Sequence, residues 1–309
     1  MSFRGSPKRV LVTGATGFLG RQLIDVFGSD DTLTPIAGSR AGTGSINNVE
    51  TLAYGDLTEL PDLTKTLSTV DCIVHCAGRA HVLHESDADP LAQFMASNHD
   101  VTLALAKHAS KAGVRRFIFI SSIGVNGSQT FGTAFRANDL PQPHAPYAIS
   151  KHAAETALLA LGQQTDLEIV IIRPPLILGP DPVGNLATLA RLIGKGIPLP
   201  FGAARHNRRS LVTGRTMAHL IRTCMDHPAA AGQVFLVANT PALSLRGILT
   251  QLSHETNLPL KLMPVPVPIL RIALRMMGRS AMDAQLFGDL EIDITHTTDT
   301  LGWTPEPYS

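Results

Sequence analysis

VTGATGFLG, residues 12–20, decides the fold of this chain. The stretch joins a β-branched apolar run, RVLVTG, to the helical-looking FLGRQLIDVFG. Three glycines lie in the connection, at Gly14, Gly17 and Gly20. A tight turn and a close approach of backbone to a pyrophosphate both need residues without a Cβ, and a helix N-terminus offers free N–H groups with a partial positive charge. The spacing is Gly-x-x-Gly-x-x-Gly rather than the common Gly-x-Gly-x-x-Gly, but its place between a strand and a helix predicts a dinucleotide-binding site.

Strand-like and helix-like segments alternate along the first 175 residues. The further apolar runs are TPIAG (34–38), LAYGDL (52–57), DCIVHCAG (71–78), RRFIFISS (115–122) and LEIVIIRPP (167–175). Strands that alternate with helices indicate βαβ units, and continuous apolar runs fit parallel strands buried on both faces. The sequence therefore predicts an α/β fold with a doubly wound parallel sheet, the Rossmann architecture, over residues 1–175.

The composition of the sequence changes after Pro175, where prolines and glycines separate shorter segments. We predict that residues 176–309 form mainly a smaller C-terminal lobe that binds substrate, with some segments returning to the first domain. The stretch MPVPVPILRIALRMMGR (263–279) is basic and amphipathic. A helix of the substrate lobe is the preferred interpretation, and a helix at a membrane surface is the alternative.

Composition excludes several classes of function. The 309 residues are 44% hydrophobic, and 26 basic residues stand against 25 acidic ones for a net charge of +1, so no global field would attract nucleic acid. No run of 18 apolar residues occurs, and no apolar leader opens the chain, so we expect a cytoplasmic protein without membrane insertion. The three cysteines, Cys72, Cys76 and Cys224, are interpreted as core residues, and HVLHE (81–85) has neither metalloprotease spacing, so no metal site is expected.

The residues after the second and third predicted strands bear on the choice of dinucleotide. Where the NAD pattern has an acid for the ribose 2′-hydroxyl, this chain has Ser39 and Arg40. Arginine can pair with a 2′-phosphate, so NADP(H) is favoured over NAD(H); the alternative is that Arg40 stacks on the adenine or points to solvent. Asp56 and Leu57, after the third strand, are predicted to hold the adenine.

PYAISK (146–151) opens a helical run and places Tyr147 four residues before Lys151. Residues at i and i+4 lie on one face of a helix, about 5–6 Å apart at Cβ. At an effective dielectric of about 20, a positive charge at about 5 Å stabilises a phenolate by roughly 3 kcal/mol, which lowers the phenol pKa by about two units. The pair therefore suggests an acid/base catalyst, although a Tyr and a Lys that simply cover a helix surface give the same spacing.

With the glycine-rich turn, ISS (120–122), Tyr147 and Lys151 in this order, the chain resembles the extended short-chain dehydrogenase/reductase family, the NAD-dependent epimerase/dehydratase group. The resemblance covers nearly the full length. It implies a catalytic set of Ser122, Tyr147 and Lys151. It also places Asn126 where a tyrosine is common in the family, beside the sugar.

The same resemblance implies a cofactor site. HCAG (75–78) resembles the loop beside the nicotinamide ribose, Asn98 resembles the Asn behind the active site, and RPPLILGP (173–180) resembles the segment that passes the nicotinamide. The predicted cofactor-binding residues are Gly14, Thr16, Gly17, Phe18, Leu19, Gly20, Ser39, Arg40, Asp56, Leu57, Cys76, Ala77, Gly78, Asn98, Ile120, Tyr147, Lys151 and Pro174.

The resemblance further implies a nucleotide-sugar substrate. Asn185, Leu199 in PLPFG (198–202) and Arg209 resemble positions that grip the uracil and diphosphate, and Ser122 and Asn126 complete the predicted substrate-binding set. Arg209 is favoured as a diphosphate ligand because its guanidinium fork suits phosphate oxygens, and a solvated loop is the alternative. Family members often dimerise through a four-helix interface that would include the Tyr147 helix, so a homodimer is expected.

Within the family, Ser122 is followed by Ile123 and Gly124, whereas sugar 4,6-dehydratases carry an Asp-Glu pair at that point. Dehydration is therefore not expected. The chain resembles bacterial polysaccharide enzymes that act at C4 of UDP-N-acetyl-hexosamines. A 4-keto reductase of the UDP-N-acetylquinovosamine type is ranked above a UDP-N-acetylglucosamine/UDP-glucose 4-epimerase, and a non-catalytic NADP sensor is the alternative of another class.

Overall fold

The computed structural model describes residues 7–41, 49–59, 61–80 and 89–308 of the chain. The HVLHE stretch (81–85) lies outside the described residues. Within the described ranges, no helix is both long enough and apolar enough to cross a membrane.

Parallel strands form the centre of the molecule. The strands are β1 (Lys8–Thr13), β2 (Leu33–Ser39), β3 (Glu50–Ala53), β4 (Cys72–His75), β5 (Arg116–Ile120), β6 (Glu168–Arg173), β7 (Leu176–Leu178), β8 (Leu211–Thr213) and β9 (Val234–Leu236). Seven of them pair in the order β3-β2-β1-β4-β5-β6-β9, and every pairing is parallel. The order reverses at β1 and β4, as a doubly wound sheet requires, and the predicted fold class is confirmed.

Some helices lie on the two faces of this sheet, and others contribute to a separate core. The helices are α1 (Phe18–Phe27), α2 (Thr64–Leu67), α3 (Pro90–Phe94), α4 (Val101–Lys111), α5 (Pro146–Gln164), α6 (Gly184–Gly194), α7 (Gly214–Asp226), α8 (Leu245–Thr256), α9 (Val267–Met276), α10 (Ser280–Phe287) and α11 (Thr295–Leu301). A π-helical turn, Met95–Asp100, joins α3 to α4. A π-turn inside a helix is often found at a functional site.

Two apolar cores fill the space between sheet and helices. One lies under α1 and α7 and includes Phe27 and Met217, and the other lies under α4 and α5 and includes Leu105 and Leu158. All five residues of β5 are buried, which explains why the four residues after Arg116 are apolar without alternation. Burial of each large apolar side chain contributes about 1.5–3 kcal/mol.

The residues after Pro175 contribute both to a smaller lobe and to the main sheet with its first core. β7 pairs with β8, and a third core that includes Leu186, Leu249 and Phe287 forms a smaller lobe. In contrast, β9 joins the edge of the main sheet, and α7 and Trp303 pack into the first core. These are segments of the kind expected to return to the first domain, while the division at residue 175 stays a prediction.

Candidate active site

The glycine-rich turn follows β1 at the carboxyl edge of the sheet. Gly14 has a φ of +68°, and a Cβ there would lie 2.8 Å from the Ala77 nitrogen. A Cβ on Gly20 would lie 2.2 Å from the Gly14 carbonyl oxygen, so helix and turn pack too closely for any other residue. The first turn of α1 has no capping side chain and no acidic residue. The N–H groups and the helix dipole at this end therefore fit the pyrophosphate of a dinucleotide.

Tyr54 supports this turn, and the sequence analysis missed it. Its hydroxyl accepts a hydrogen bond of 3.1 Å from the Gly14 nitrogen, and its ring carbon lies 2.9 Å from where a Gly38 Cβ would be. Burial raises the pKa of the Tyr54 phenol. The position just after β3, at the same sheet edge as the glycines, was the available signal.

Arg40 and Asp56 lie near each other at this edge. Arg40 is exposed directly after β2, and its carbonyl accepts a hydrogen bond of 3.2 Å from the Gly55 nitrogen. The Asp56 carboxylate accepts from the Thr58 nitrogen (2.9 Å) and hydroxyl (2.7 Å), and these bonds, together with the Arg40 charge, lower the pKa of Asp56. Leu57 is buried in the second core, and Ser39 ends β2 half-buried. Contact of these four residues with a cofactor stays a prediction.

The catalytic candidates converge on the N-terminal turn of α5. Pro146 is the first residue of this helix, and Tyr147 and Lys151 follow one turn apart on one face, as the spacing predicted. Ser122, two residues beyond β5, lies close enough to the Tyr147 phenol to lower its pKa, and its hydroxyl accepts a bond of 3.1 Å from the Gly124 nitrogen. The hydroxyl and the phenol are thus presented together at the sheet edge.

Lys151 is almost fully buried. Its Nζ donates a hydrogen bond of 2.9 Å to the Ile120 carbonyl and lies 4.5 Å from the centre of the Phe119 ring. Burial lowers the pKa of Lys151 to about 8, and nearby Cys76 and Glu155 act in the opposite direction. Lys151 is therefore a charge whose protonation changes close to neutral pH.

The expected lowering of the Tyr147 pKa by Lys151 is wrong, because the pKa is raised instead. The Lys151 Nζ lies 6.0 Å from the Tyr147 ring centre. Burial raises the pKa of Tyr147 to about 12, and the hydrogen bond from Ser122 offsets only part of the rise. Loss of solvation on partial burial outweighs the neighbouring groups here, because a phenolate loses more hydration than a neutral phenol does.

Asn98 ties the loop after β4 to the catalytic helix. It is fully buried in the π-helical turn, and its Oδ1 accepts a bond of 2.8 Å from the Arg79 nitrogen. Its Nδ2 donates to the Arg79 carbonyl and to the Ser150 hydroxyl, both at 3.1 Å. Ser150 in turn donates 2.8 Å to the Tyr147 carbonyl. Asn98 holds the backbone on both sides of the site, whereas its contact with a cofactor stays a prediction.

His75 continues this buried chain to the glycine-rich turn. Its Nε2 lies 3.0 Å from the Thr102 hydroxyl, which donates 2.6 Å to the Asn98 carbonyl. Thr102 must then accept from His75, so Nε2 carries the proton and Nδ1 accepts from the Thr13 hydroxyl at 2.7 Å. Burial lowers the pKa of His75 to about 3, which keeps the ring neutral. Nothing in the sequence marked these partners except their positions at strand and helix ends.

The loop after β4 brings the remaining cofactor candidates to the same edge. A Cβ on Gly78 would lie 2.9 Å from the Asn98 Oδ1, so this position needs glycine. Ala77 donates 3.3 Å to the Thr13 hydroxyl. Burial raises the pKa of the Cys76 thiol to about 12, which makes it unreactive. Pro174, after β6, accepts 2.9 Å from the Ile123 nitrogen and so fixes the turn that follows Ser122.

A buried ion pair lies one turn beyond Lys151. Glu155 accepts two bonds from Arg173, of 2.9 and 2.6 Å, and both side chains are at most 5% exposed. Arg173 also donates 2.9 Å to the Asn126 Oδ1, and the Asn126 Nδ2 donates 2.8 Å to the Arg136 carbonyl. These contacts hold the Asn126 side chain in place, and its contact with the sugar stays a prediction. The sequence offers no local signal for this pair, because Glu155 and Arg173 are 18 positions apart.

The predicted substrate residues of the second lobe surround the end of α10. The exposed Asn185 donates 3.4 Å to the Gln285 Oε1, and Arg209 donates 3.1 Å to the Gly288 carbonyl. Leu199 is buried in the core that also holds Phe287. Burial lowers the pKa of Arg209 below its usual value. The structure brings these residues to one region, and their contact with substrate stays a prediction.

The fold and the glycine-rich turn define the class of protein, a Rossmann-fold protein that binds a dinucleotide at the carboxyl edge of its sheet. Residues 10–238 match the model of the NAD dependent epimerase/dehydratase family, and the chain belongs to this family. It is thus an enzyme of the extended short-chain dehydrogenase/reductase type. The family and enzyme predictions are confirmed, and the non-catalytic alternative loses its support.

Known relatives agree with this assignment. The chain is 40% identical over 306 residues to a UDP-glucose 4-epimerase of Vibrio cholerae, covering 98% of this chain and 92% of that protein. It is 26% identical over 265 residues to the N-acetyl-alpha-D-glucosaminyl-diphospho-ditrans,octacis-undecaprenol 4-epimerase of Escherichia coli O157:H7, covering 84% and 76%. The crystal structure of UDP-glucose 4-epimerase from Thermotoga maritima with UDP-glucose has the same fold, with a TM-score of 0.74, 19% identity and coverage of 96% and 94%.

Proposed function

We propose that the enzyme is a 4-epimerase of a UDP-linked hexose or N-acetyl-hexosamine, in the manner of UDP-glucose or UDP-N-acetylglucosamine 4-epimerases. The observation that carries the acid/base chemistry is the convergence of Ser122, Tyr147 and Lys151 beside the glycine-rich turn. The choice of C4 and of a UDP-sugar rests on the full-length likeness to the Vibrio cholerae 4-epimerase. This likeness favours the epimerase over the reductase that the sequence alone ranked first.

In this proposal Tyr147 acts as the phenolate: it takes the proton of the sugar 4-hydroxyl and later returns it to the 4-keto oxygen. Ser122 donates a hydrogen bond to the same oxygen and so holds it against the phenol. Bound NAD would supply the acceptor and donor of the C4 hydride, and its oxidised ring would add a positive charge. The pKa of Tyr147 is raised to about 12, so formation of the phenolate needs positive charge nearby, and Lys151 supplies that charge when it is protonated.

Proton and hydride return to the atoms they left, so substrate and product have the same composition. The sugar must turn between the two transfers, because inversion at C4 needs the hydride on the opposite face. The sugar therefore needs room, while the nucleotide must stay bound. We assign the anchoring to Arg209, Asn185 and the Leu199 segment. Both curated relatives named above act on a sugar attached through a diphosphate, which is the group that an arginine fork suits.

A 4-keto reductase of the UDP-N-acetylquinovosamine type is the second candidate. The exposed Arg40 after β2 favours it, because a reductase exchanges its cofactor with the cellular pool and a 2′-phosphate would pair with this arginine. The preference for NADP(H) belongs to this proposal.

One assay separates the two candidates. The purified enzyme is incubated with UDP-N-acetylglucosamine or UDP-glucose without added cofactor, and separately with UDP-4-keto-6-deoxy-N-acetylglucosamine and reduced cofactor. Conversion to the C4 epimer in the first mixture supports the epimerase. Consumption of reduced cofactor in the second, with none of the epimer in the first, replaces it with the reductase.

The cofactor preference has its own test. A charge-assisted hydrogen bond is worth roughly 1.5–3 kcal/mol, so Arg40→Ala should weaken NADP(H) binding about ten- to a hundredfold and NAD(H) binding little. Arg191→Ala, also exposed but on α6, is the control and should change neither. Equal losses for the two cofactors in Arg40→Ala would show that this arginine does not bind the phosphate.

We further propose a cytoplasmic homodimer with α5 in a four-helix interface. Light scattering of the purified chain gives its mass directly. A monomer at micromolar concentration would contradict the dimer, and fractionation of cells tests the compartment.

A further inference from the structure

The outer side of α9 carries an apolar surface that the fold leaves uncovered. Ile269, Ile272 and Met276 lie three and four residues apart, so they form one stripe along the helix. Their side chains are 57%, 57% and 84% exposed. We call these three residues the α9 face. Two more exposed methionines adjoin it, Met277 at the end of α9 and Met282 on α10.

The opposite side of α9 is already packed. Val267, Leu270 and Leu274 lie against the core of the second lobe. Packing on the lobe therefore accounts for half of the apolar residues of this helix and does not explain the α9 face. Contiguous exposed apolar surface marks a site where a protein or a membrane binds.

The charges around the α9 face are basic. The sequence from 261 to 279 holds Lys261, Arg271, Arg275 and Arg279 and no acidic residue. Asp283 on α10 pairs with Arg271 at 3.1 Å and with Arg275 at 3.8 Å, and its side chain is only 18% exposed. Arg275 is 68% exposed beside the apolar stripe, so the pairing leaves positive charge at the surface.

We propose that the α9 face docks on an anionic membrane surface, with the helix parallel to the bilayer plane. An interfacial helix presents apolar side chains to the acyl boundary and basic side chains to the headgroups, which is the arrangement found here. A second copy of the chain fits less well. A two-fold contact through this face would place a helix without acidic residues against its own copy, so the exposed Arg275 would find no carboxylate on the facing helix.

The docking surface is connected to the candidate substrate region. Arg271 donates a hydrogen bond of 3.4 Å to the Phe287 carbonyl at the end of α10 and lies 5.8 Å from that ring centre. The next residue, Gly288, accepts from Arg209. Docking would therefore set the Arg209 side of the enzyme close to the headgroups. This inference does not depend on the reaction proposed above.

Vesicle sedimentation of the full chain tests the proposal without an activity measurement. Vesicles of phosphatidylcholine with about one third phosphatidylglycerol should bind the protein, and vesicles of phosphatidylcholine alone should bind it at least about tenfold less, since each basic residue near an anionic surface contributes roughly a fivefold factor. Binding to the anionic vesicles should fall as salt is raised.

A double variant tests the apolar stripe of the α9 face. Ile272→Asp with Met276→Asp should lower vesicle binding at least about tenfold, because an exposed apolar contact is replaced by a repelled charge. Leu140→Asp is the matched control: this leucine is 84% exposed, like Met276, but lies in the loop before α5 and should change nothing. Unchanged thermal melting shows that the double variant folds.

Three outcomes would overturn the proposal. One is the absence of sedimentation with anionic vesicles. Another is equal loss of binding in Leu140→Asp, which would make the adhesion non-specific. The third combines two results: the parent chain does not bind vesicles, and light scattering gives the double variant half the mass of the parent chain. This outcome would show that the α9 face joins two copies.

Discussion

The two sides of the candidate site are built by different means. On the catalytic side, Asn98, Lys151 and Glu155 are each at most 4% exposed, and each is held by named hydrogen bonds. On the substrate side, Asn185 is exposed and Arg209 is half-buried in a strand-like segment with isolated bridges to Leu243 and Leu290. The first arrangement fixes reacting groups in place, whereas the second can change without disturbing the sheet. Substrate choice is thus expected to reside in the second lobe.

The largest expected effect concerns the catalytic side. Tyr147→Phe removes the proton carrier but keeps the ring, which packs edge-on against Phe94 at 6.0 Å between ring centres. Turnover should fall by roughly two to four orders of magnitude, with fold and cofactor binding retained. Tyr308→Phe, at a half-buried tyrosine of the second lobe, is the control and should leave turnover nearly unchanged. Full activity of Tyr147→Phe would remove it from the mechanism.

Two ion pairs, one on each side of the site, allow the contributions of the two sides to the unfolding free energy to be compared. Glu155→Ala leaves Arg173 buried without its carboxylate, and such a loss costs about 3–5 kcal/mol of unfolding free energy. Arg208→Ala breaks an exposed pair of 2.7 Å with Glu291 and should leave the unfolding free energy unchanged. Urea denaturation measures both variants. Equal losses would show that burial does not separate the two pairs.

The residues at the carboxyl edge of the sheet could be predicted from the sequence where the regular geometry of strands and helices fixes their positions. Glycine spacing marks the turn after β1, and the i+4 rule places Tyr147 and Lys151 on one face. The sequence did not reveal Tyr54 or the chain from Thr13 through His75 to Asn98, since these contacts join residues up to 64 positions apart that only the folded sheet brings together. The predicted lowering of the Tyr147 pKa was wrong for a related reason. The spacing of Tyr147 and Lys151 along the helix does not show how far the folded chain buries the phenol.

Lys151 links charge and stability on the catalytic side. Its pKa is lowered from 10.5 to about 8, so between these values the unfolded chain binds a proton that the folded chain does not. Stability therefore rises with pH over this range, and the shift corresponds to about 3 kcal/mol. Lys151→Met should lose this contribution. The measurement is the difference between the two unfolding free energies from pH 7.5 to 10.5, and parallel curves would contradict the lowered pKa.

The smallest effect tests the substrate side through two adjacent arginines. Arg209 is half-buried and anchored to the Gly288 carbonyl, whereas Arg208 is exposed and engaged with Glu291. If Arg209 binds the diphosphate, its charge-assisted bond is worth roughly 1.5–3 kcal/mol, and Arg209→Ala should weaken UDP binding about ten- to a hundredfold. Arg208→Ala should change it less than about twofold, because an exposed charge is screened by water and salt. Calorimetric titration with UDP gives both values. A larger loss in Arg208→Ala would transfer the anchor to the neighbouring residue, and no loss in either would place the diphosphate outside this loop while leaving the catalytic side as described.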